Sequence, residues 1–291
     1  MILPKVLVMR MAGTNCETET AYAFNKIGAD SEIVHINSIK KGFRPEDRRE
    51  FSMDDYHILA IPGGFSGGDY IKAGKMYAED IRGSLKEVVE KFVKDGKPII
   101  GICNGFQVLA QLGLVPNGKI GNQTISLTYN ESKKFEARWV NLTSPENNCI
   151  WTKNMNGLYL PVANAEGNVR ADKEEVQRLF DDNLVVFQYA DAQGNPTQSY
   201  PENPSGSIDA IAAITDPTGR ILGIMPHPER YNHPMNHNLA TLQKIASMPY
   251  IDRDDPAVQR RLKLAGTLPA EGMGLQILRN GVDYVIENLL R

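Results

Sequence analysis

The first third of the chain alternates between two hydrophobic patterns. Short apolar runs ("KVLVMR", "SEIVHI", "YHILAI" and "KPIIGI") have the length and β-branched content of buried strands. Between the last two, Ile81, Leu85, Val88, Val89, Phe92 and Val93 fall on one helical face, and Gly96 closes that helix. After the first run, "TNCE" fits a capping box, with Thr14 as cap and Glu17 reaching back, ahead of a helix that Gly28 ends. Residues 40–55 are charged and carry Pro45, which marks a surface excursion. Strands separated by helices over short loops predict an α/β fold: a doubly wound, mostly parallel sheet with flanking helices and right-handed crossovers. Sites in such sheets gather beyond the carboxyl ends of the strands. "PGGFSGGDY" and "CNGFQ" are both strand-end loops, so they are candidate neighbours in space.

The pattern loosens in the middle. "SIDAIAAITDPTGRILGIMPHPE" reads as two strands joined by a turn over residues 216–219, and it delivers "MPHPER" to a strand end. From 231 to about 274 the spacing is helical and rich in charge, and "LQILRNGVDYVIENLL" supplies a closing helix. Residues 1–291 therefore read as one domain with a helical insertion at about 231–274, which either docks a partner or stands in solvent.

Composition narrows the classes. With 42% hydrophobic and 23% charged residues over 291 positions, the chain can bury a large core. A net charge of −3 argues against a nucleic-acid binder that neutralises phosphates. Cys16, Cys103 and Cys149 are odd in number and widely spaced, so no disulfide framework is implied, and a reducing cytoplasm is expected. "VLVM" is too short for a signal or membrane segment, and no later run reaches the roughly 18 residues that span a bilayer.

The chemistry concentrates in "PIIGICNGFQVLAQLG". Cys103 stands at a sharp strand-to-helix corner with Gly101 and Gly105 two positions to either side, the cysteine counterpart of a nucleophile elbow. A helix N-terminus aimed at the sulfur favours thiolate. A lone G-x-C-x-G also suits a buried structural cysteine. His227, in "MPHPER", offers a base, and Glu229, two residues on across Pro228, offers a carboxylate to orient it on the same side of an extended stretch. Taken alone, H-P-E also suits a surface turn with an incidental ion pair. Gly63 and Gly64 in "PGGFSGG" can turn backbone N–H groups toward an oxyanion, with the amide of Asn104 as second donor. A phosphate cradle is disfavoured, because neither Walker spacing nor G-x-G-x-x-G follows a strand. Cys16 lacks flanking glycines and reads as structural or adjoining the site. His35 and His57 read as core or edge residues of strands. His233 and His237 lack an acidic ligand cluster, so no metal site is expected.

"GICNGFQVLAQLGLVP", "PGGFSGGDY" and "GIMPHPER" resemble the class I (triad) glutamine amidotransferases. Within that group, "MAGTNCETET", "NGFQ" and "NPSGSIDAIAAI" are similar to the glutaminase subunits of phosphoribosylformylglycinamidine synthase. The resemblance runs from the first strand to about Arg230 and resumes at the last helix. It implies that Cys103 attacks the amide of L-glutamine, His227 shuttles the proton and Glu229 orients His227. It further implies that Gly63, Gly64 and Gln107 help hold glutamine, with Asn104 completing the oxyanion pocket. Ammonia then passes to an ATP-using synthetase subunit, in a complex that can include a small accessory subunit. ATP and magnesium belong on the synthetase, with no cofactor, nucleic acid or membrane bound by this chain. Two departures stand out. The family has a bulkier residue at Gly67, and a histidine near Asn164 whose absence leaves the base role to His227. Two other readings remain: the glutaminase of another triad amidotransferase complex, or a non-catalytic cysteine redox or regulatory protein on the same fold.

Overall fold

The computed structural model describes residues 2–44, 48–246, 254–256, 258–259 and 269–290. In chain order the strands are β1 (Lys5–Arg10), β2 (Asp30–His35), the short pair β3 (Phe43–Arg44) and β4 (Arg49–Glu50), β5 (Ile58–Ile61) and β6 (Ile99–Ile102). There follow β7 (Ser126–Thr128), β8 (Glu136–Thr143), β9 (Gly157–Asn164), β10 (Asn168–Arg170), β11 (Val185–Ala190), β12 (Ile211–Thr215) and β13 (Ile221–Ile224). Nine of them form one sheet in the order β2-β1-β5-β6-β13-β12-β11-β8-β9. The half from β2 to β13 is parallel, and the wing from β12 to β9 is antiparallel.

Burial explains why the parallel half was the more legible. β5, β6 and β13 are buried at every position, so they read as unbroken apolar runs. β9 instead alternates buried and half-buried positions, as a strand with one covered face does. Helices α1 (Glu17–Lys26), α2 (Ile36–Lys41), α3 (Lys75–Asp80), α4 (Lys86–Lys94) and α5 (Asn104–Leu112) connect the parallel strands. α1 packs against the C-terminal helix Leu275–Asn288, and α5 against α3. The C-terminal helix is fixed by Asn280, whose Nδ2 donates to the carbonyls of Trp151 and Lys153, both at 3.0 Å. No helix among the described residues is long and apolar enough to cross a membrane.

Three local expectations change. The capping box does not form. α1 starts at Glu17, while Thr14 Oγ1 accepts from the Met11 amide at 3.1 Å and folds the loop back onto the end of β1. The helix expected over 81–93 opens with a π-turn at Ile81–Leu85 before α4. The wider turn shifts the helical phase, so Ile81, Leu85, Val89 and Phe92 are buried while Val88 is 39% exposed. The excursion at 40–55 contains the end of α2 and the β3/β4 pair, with 45–47 outside the described residues.

The chain order along the sheet reverses between β1 and β5, and this switch point opens a crevice at the carboxyl ends of the strands. Asn15 and Cys16 amides from the β1 side both donate to the Gly63 carbonyl on the β5 side, at 3.2 and 3.1 Å. The antiparallel wing curls back over the same end. β9 lies four places from β13 in the sheet, yet the Pro161 carbonyl accepts from the His227 amide at 2.8 Å. Past the site, the chain leaves at Tyr231 and returns at Gly274, whose amide donates to the Tyr231 carbonyl at 3.0 Å. Between them lie a 3₁₀ turn at Pro234–Asn236 and a helix at Ala240–Ala246; much of the remainder of the expected insertion lies outside the described residues.

Candidate active site

Cys103 occupies the single residue between β6 and α5, at φ +52° and ψ −104°. A non-glycine residue adopts such a backbone only when its surroundings impose it. The flanking glycines are required by space. A Cβ on Gly101 would lie 2.5 Å from the Gly105 carbonyl oxygen, and one on Gly105 would lie 1.9 Å from that of Ile61. The corner brings the buried helix α5 to bear on the sulfur with its N-terminus, where the first amides lack intrahelical acceptors. Asn104 is the first residue of that helix.

His227 follows β13 and is 1% exposed; Glu229 is fully buried. The two are joined by His227 Nδ1 and Glu229 Oε1 at 2.6 Å. They do not share an extended stretch. Pro228–Arg230 is a 3₁₀ turn with proline at its first position, where a missing N–H is harmless, and the turn itself brings the carboxylate to the ring. Burial alone would depress the His227 pKa. The Glu229 carboxylate and the sulfurs of Cys103 and Cys16 outweigh it and hold that pKa well above the ordinary histidine value. Nε2 has no hydrogen-bond partner within ordinary geometric limits among the described residues, and the Cys103 and Cys16 sulfurs act on the ring.

Gly63 is where these groups converge. A Cβ there would lie 2.8 Å from His227 Cε1, 3.3 Å from Cys16 Sγ and 3.4 Å from Cys103 Cβ. Gly64, at φ +145°, pairs with Thr14 and has the Asn15 amide 2.6 Å from the place of its missing Cβ. Cys16 thus adjoins the site. It is fully buried, and its Sγ accepts from Arg230 Nη2 at 3.0 Å. Ligand atoms of Cys16, His227 and Glu229 lie within 4.8 Å of one another, but they already bond within the protein and to a guanidinium, an environment that disfavours a second cation.

The Asn104 side chain belongs to a scaffold. Its Oδ1 accepts from the Ser66 amide at 3.3 Å and from the Ser66 hydroxyl, and its Nδ2 donates to Gln107 Oε1 at 2.9 Å. Gln107 Nε2 in turn donates to the Glu166 carbonyl at 2.7 Å, so both ends of its carboxamide are engaged. At Gly67, φ is +66° and a Cβ would lie 2.9 Å from Met76 Sδ, which disfavours a bulkier residue there.

Cys103 lies where two cavities meet. One, of about 420 Å³, is lined by Phe65, Phe135, His227 and Arg230; the other, of about 120 Å³, is lined by Asp69, Gln107, Asn164 and Glu166. Besides Cys103, both share Gly64, Phe65 and Ala163. A larger cavity of about 850 Å³ between residues 147–156 and the C-terminal helix shares no residue with either. Sequence reasoning found Cys103, His227, Glu229 and the glycines, and the structure brings them together with Asn104 and Gln107. It did not single out Arg230 or Asp69, although they sit inside "MPHPER" and "PGGFSGGDY", nor Glu166, which lies outside the quoted motifs. His35, His57, His233 and His237 lie on neither cavity wall; for example, His57 Nδ1 accepts from the Lys5 amide at 2.9 Å.

The model of the CobB/CobQ-like glutamine amidotransferase domain matches residues 3–252. A phosphoribosylformylglycinamidine synthase subunit PurQ of Methanococcus maripaludis is 39% identical over 288 residues, covering 97% of this chain and 98% of that protein. The corresponding subunit of Treponema denticola is 40% identical over 300 residues, covering 97% and 99%. Among solved structures, that of PurLQS from Thermotoga maritima matches with a TM-score of 0.64 at 24% identity over 98% of this chain, a likeness of fold. The chain therefore belongs to the CobB/CobQ-like glutamine amidotransferases and, within them, to the family of the PurQ subunits of phosphoribosylformylglycinamidine synthase.

Proposed function

We propose that this chain is the glutaminase subunit of a phosphoribosylformylglycinamidine synthase. It hydrolyses L-glutamine to glutamate and ammonia. The ammonia feeds the ATP-dependent conversion of formylglycinamide ribonucleotide to formylglycinamidine ribonucleotide in purine biosynthesis. The observation that carries the mechanism is the 2.6 Å contact between His227 Nδ1 and Glu229 Oε1 beside a left-handed Cys103. His227, whose pKa is raised by the Glu229 charge, takes up the Cys103 thiol proton. Cys103 Sγ attacks the amide carbon, and the oxyanion is received by the Asn104 amide and the Gly63–Gly64 backbone. As the tetrahedral species collapses, His227 gives its proton to the leaving nitrogen. Ammonia departs and a γ-glutamyl thioester remains. Water, deprotonated by His227, then attacks the thioester and releases glutamate. Glu229 holds the ring orientation and the positive charge throughout.

The ATP-using synthetase is the partner that consumes the ammonia, with ATP and magnesium on that subunit. A small accessory subunit completes the complex, and the assembly is cytoplasmic. The test is synthase turnover with the partner present. Cys103→Ala abolishes glutamine-dependent turnover and leaves ammonia-dependent turnover intact. Wild-type glutamine-dependent turnover in that variant overturns the proposal.

A further inference from the structure

Cys16 is a buried nucleophile that the proposed mechanism leaves unused, and it lies beside the one that mechanism needs. The sulfur of Cys16 and the Cβ of Cys103 flank the same empty position: a Cβ on Gly63 would lie 3.3 Å from the first and 3.4 Å from the second. No side chain at 63 therefore stands in the volume the two thiols share. Backbone contacts keep Cys16 in place, since its amide donates to the Gly63 carbonyl at 3.1 Å and its carbonyl accepts from the Thr20 hydroxyl at 2.7 Å. Both sulfurs act on the His227 ring, which can take a proton. The Arg230 guanidinium donates to Cys16 Sγ at 3.0 Å and offsets the charge this sulfur gains when its proton leaves. Access is one-sided. Cys103 lines the cavity of about 420 Å³, whereas Cys16 is fully buried and lines neither cavity, so a small reagent meets Cys103 first. Cys149 marks the contrast: it lies on the far cavity, and burial pushes its thiol up to about 12.

We propose that Cys16 is a resolving cysteine for Cys103: a hydroperoxide entering the larger cavity oxidises Cys103, and Cys16 closes a disulfide on it that shuts the glutaminase off reversibly. The chemistry balances in two steps. Cys103, its proton passed to His227, attacks one oxygen of hydrogen peroxide. The S–O bond forms, the O–O bond breaks, and the departing hydroxide takes the proton from His227 and leaves as water. Cys16 Sγ then attacks the sulfur of the Cys103 sulfenic acid. The S–S bond forms, the S–O bond breaks, and the second hydroxide leaves as water with the Cys16 proton. Two thiols have then given two electrons to one peroxide. A disulfide holds its two Cβ atoms about 3.5–4.5 Å apart, a closeness that a side chain at 63 would obstruct. The oxidised chain has no nucleophile for glutamine, yet Cys103 is kept from the sulfinic and sulfonic states that thiols do not reverse. The loss of turnover rests on the glutaminase reading above; the disulfide itself does not.

The experiment treats the full chain, assembled with its synthetase, with hydrogen peroxide and then with dithiothreitol. Peroxide is expected to abolish glutamine-dependent turnover and to spare ammonia-dependent turnover, which reports the synthetase alone. Mass spectrometry of an unreduced digest finds the Cys16 and Cys103 peptides joined, with the two thiol hydrogens lost. Dithiothreitol returns glutamine-dependent turnover to most of its starting value. In Cys16→Ala, scored against its own starting turnover, the loss is as deep, but dithiothreitol restores about a tenth or less, because Cys103 goes on to sulfinic acid. If that variant fails to fold, Cys16→Ser replaces it, and the joined peptide in the wild-type chain decides by itself. A wild-type Cys103 that stays a thiol, ends as sulfinic acid or pairs with Cys149 overturns the proposal. So does a Cys16→Ala variant that recovers as fully as the wild type. A wild-type complex that hydrolyses no glutamine before peroxide is added overturns the glutaminase reading instead, and the joined peptide still reports on the disulfide.

Discussion

In the proposed mechanism Glu229 acts through His227, which it contacts at 2.6 Å, and the direction of that influence is testable. Burial pulls the His227 pKa down, and the Glu229 charge does most to lift it again. Glu229→Gln removes the charge, so the folded-state pKa falls and the imidazolium needed to protonate the departing nitrogen is lost at a lower pH. The alkaline limb of glutamine-dependent kcat is expected to move to lower pH, with kcat down by about 10²–10⁴-fold at neutral pH, as measured by pH–rate profiles. An unmoved limb would contradict the assigned role. The same interaction bears on stability. A histidine whose folded pKa is raised contributes stability fully below its unfolded pKa and loses it as pH rises through the folded value. Residues with a strong local signature were legible in sequence: Cys103 through its glycines, His227 and Glu229 through their proline-spaced motif. Cys16 was legible only as a neighbour. Nothing in "TNCE" announces that its sulfur meets Arg230, a contact made across 214 residues of chain.

At the scale of elements, close backbone approach does more than propensity. Gly281 lets the C-terminal helix sit on Trp151: a Cβ there would lie 2.1 Å from ring atom Cζ3, and Trp151 is fully buried. The ring is also tethered by Nε1, which donates to the Arg220 carbonyl at 2.9 Å, so it has little room to yield. Gly281→Leu is expected to overpack this seam and cost about 1–3 kcal/mol, seen as a lower Tm, while the rate of Cys103 alkylation at low temperature is retained. Neither Gly281 nor Trp151 lines the two cavities that meet at Cys103. Periodicity exposed the parallel strands because they are buried on both faces, and it exposed the final helix over nearly its full length. It failed where tertiary contacts replaced local rules. Thr14 is drawn to Met11 instead of capping α1, and a π-turn moves Val88 off the buried face. β8 and β9, at the far edge of the antiparallel wing, stayed indistinct because half-covered strands carry a weaker apolar signal.

At the scale of the whole molecule, the site is assembled from strand ends that are far apart in sequence and made adjacent by topology. Neither half of the sheet is sufficient. The parallel half supplies Cys103, Gly63 and His227, and the curled wing supplies Ala163, whose carbonyl lies 3.7 Å from Cys103 Sγ, together with Asn164 and Glu166 just beyond it. That long-range closure is why Glu166 could not be read from motifs.

The clasp between Tyr231 and Gly274 carries a separate implication. A Cβ on Gly274 would lie 1.9 Å from the Pro228 oxygen, so the two stems touch directly beside the turn that holds Glu229. His237 packs its ring against Trp139, Tyr159 and Tyr231 beside these stems, so only the chain beyond Ala246 is a candidate for trimming, and closing a shorter loop there costs little. Replacing residues 247–268 with a short glycine–serine link is expected to leave the rate of Cys103 alkylation unchanged. Pull-down with the synthetase then reports whether the removed portion served as a handle for assembly.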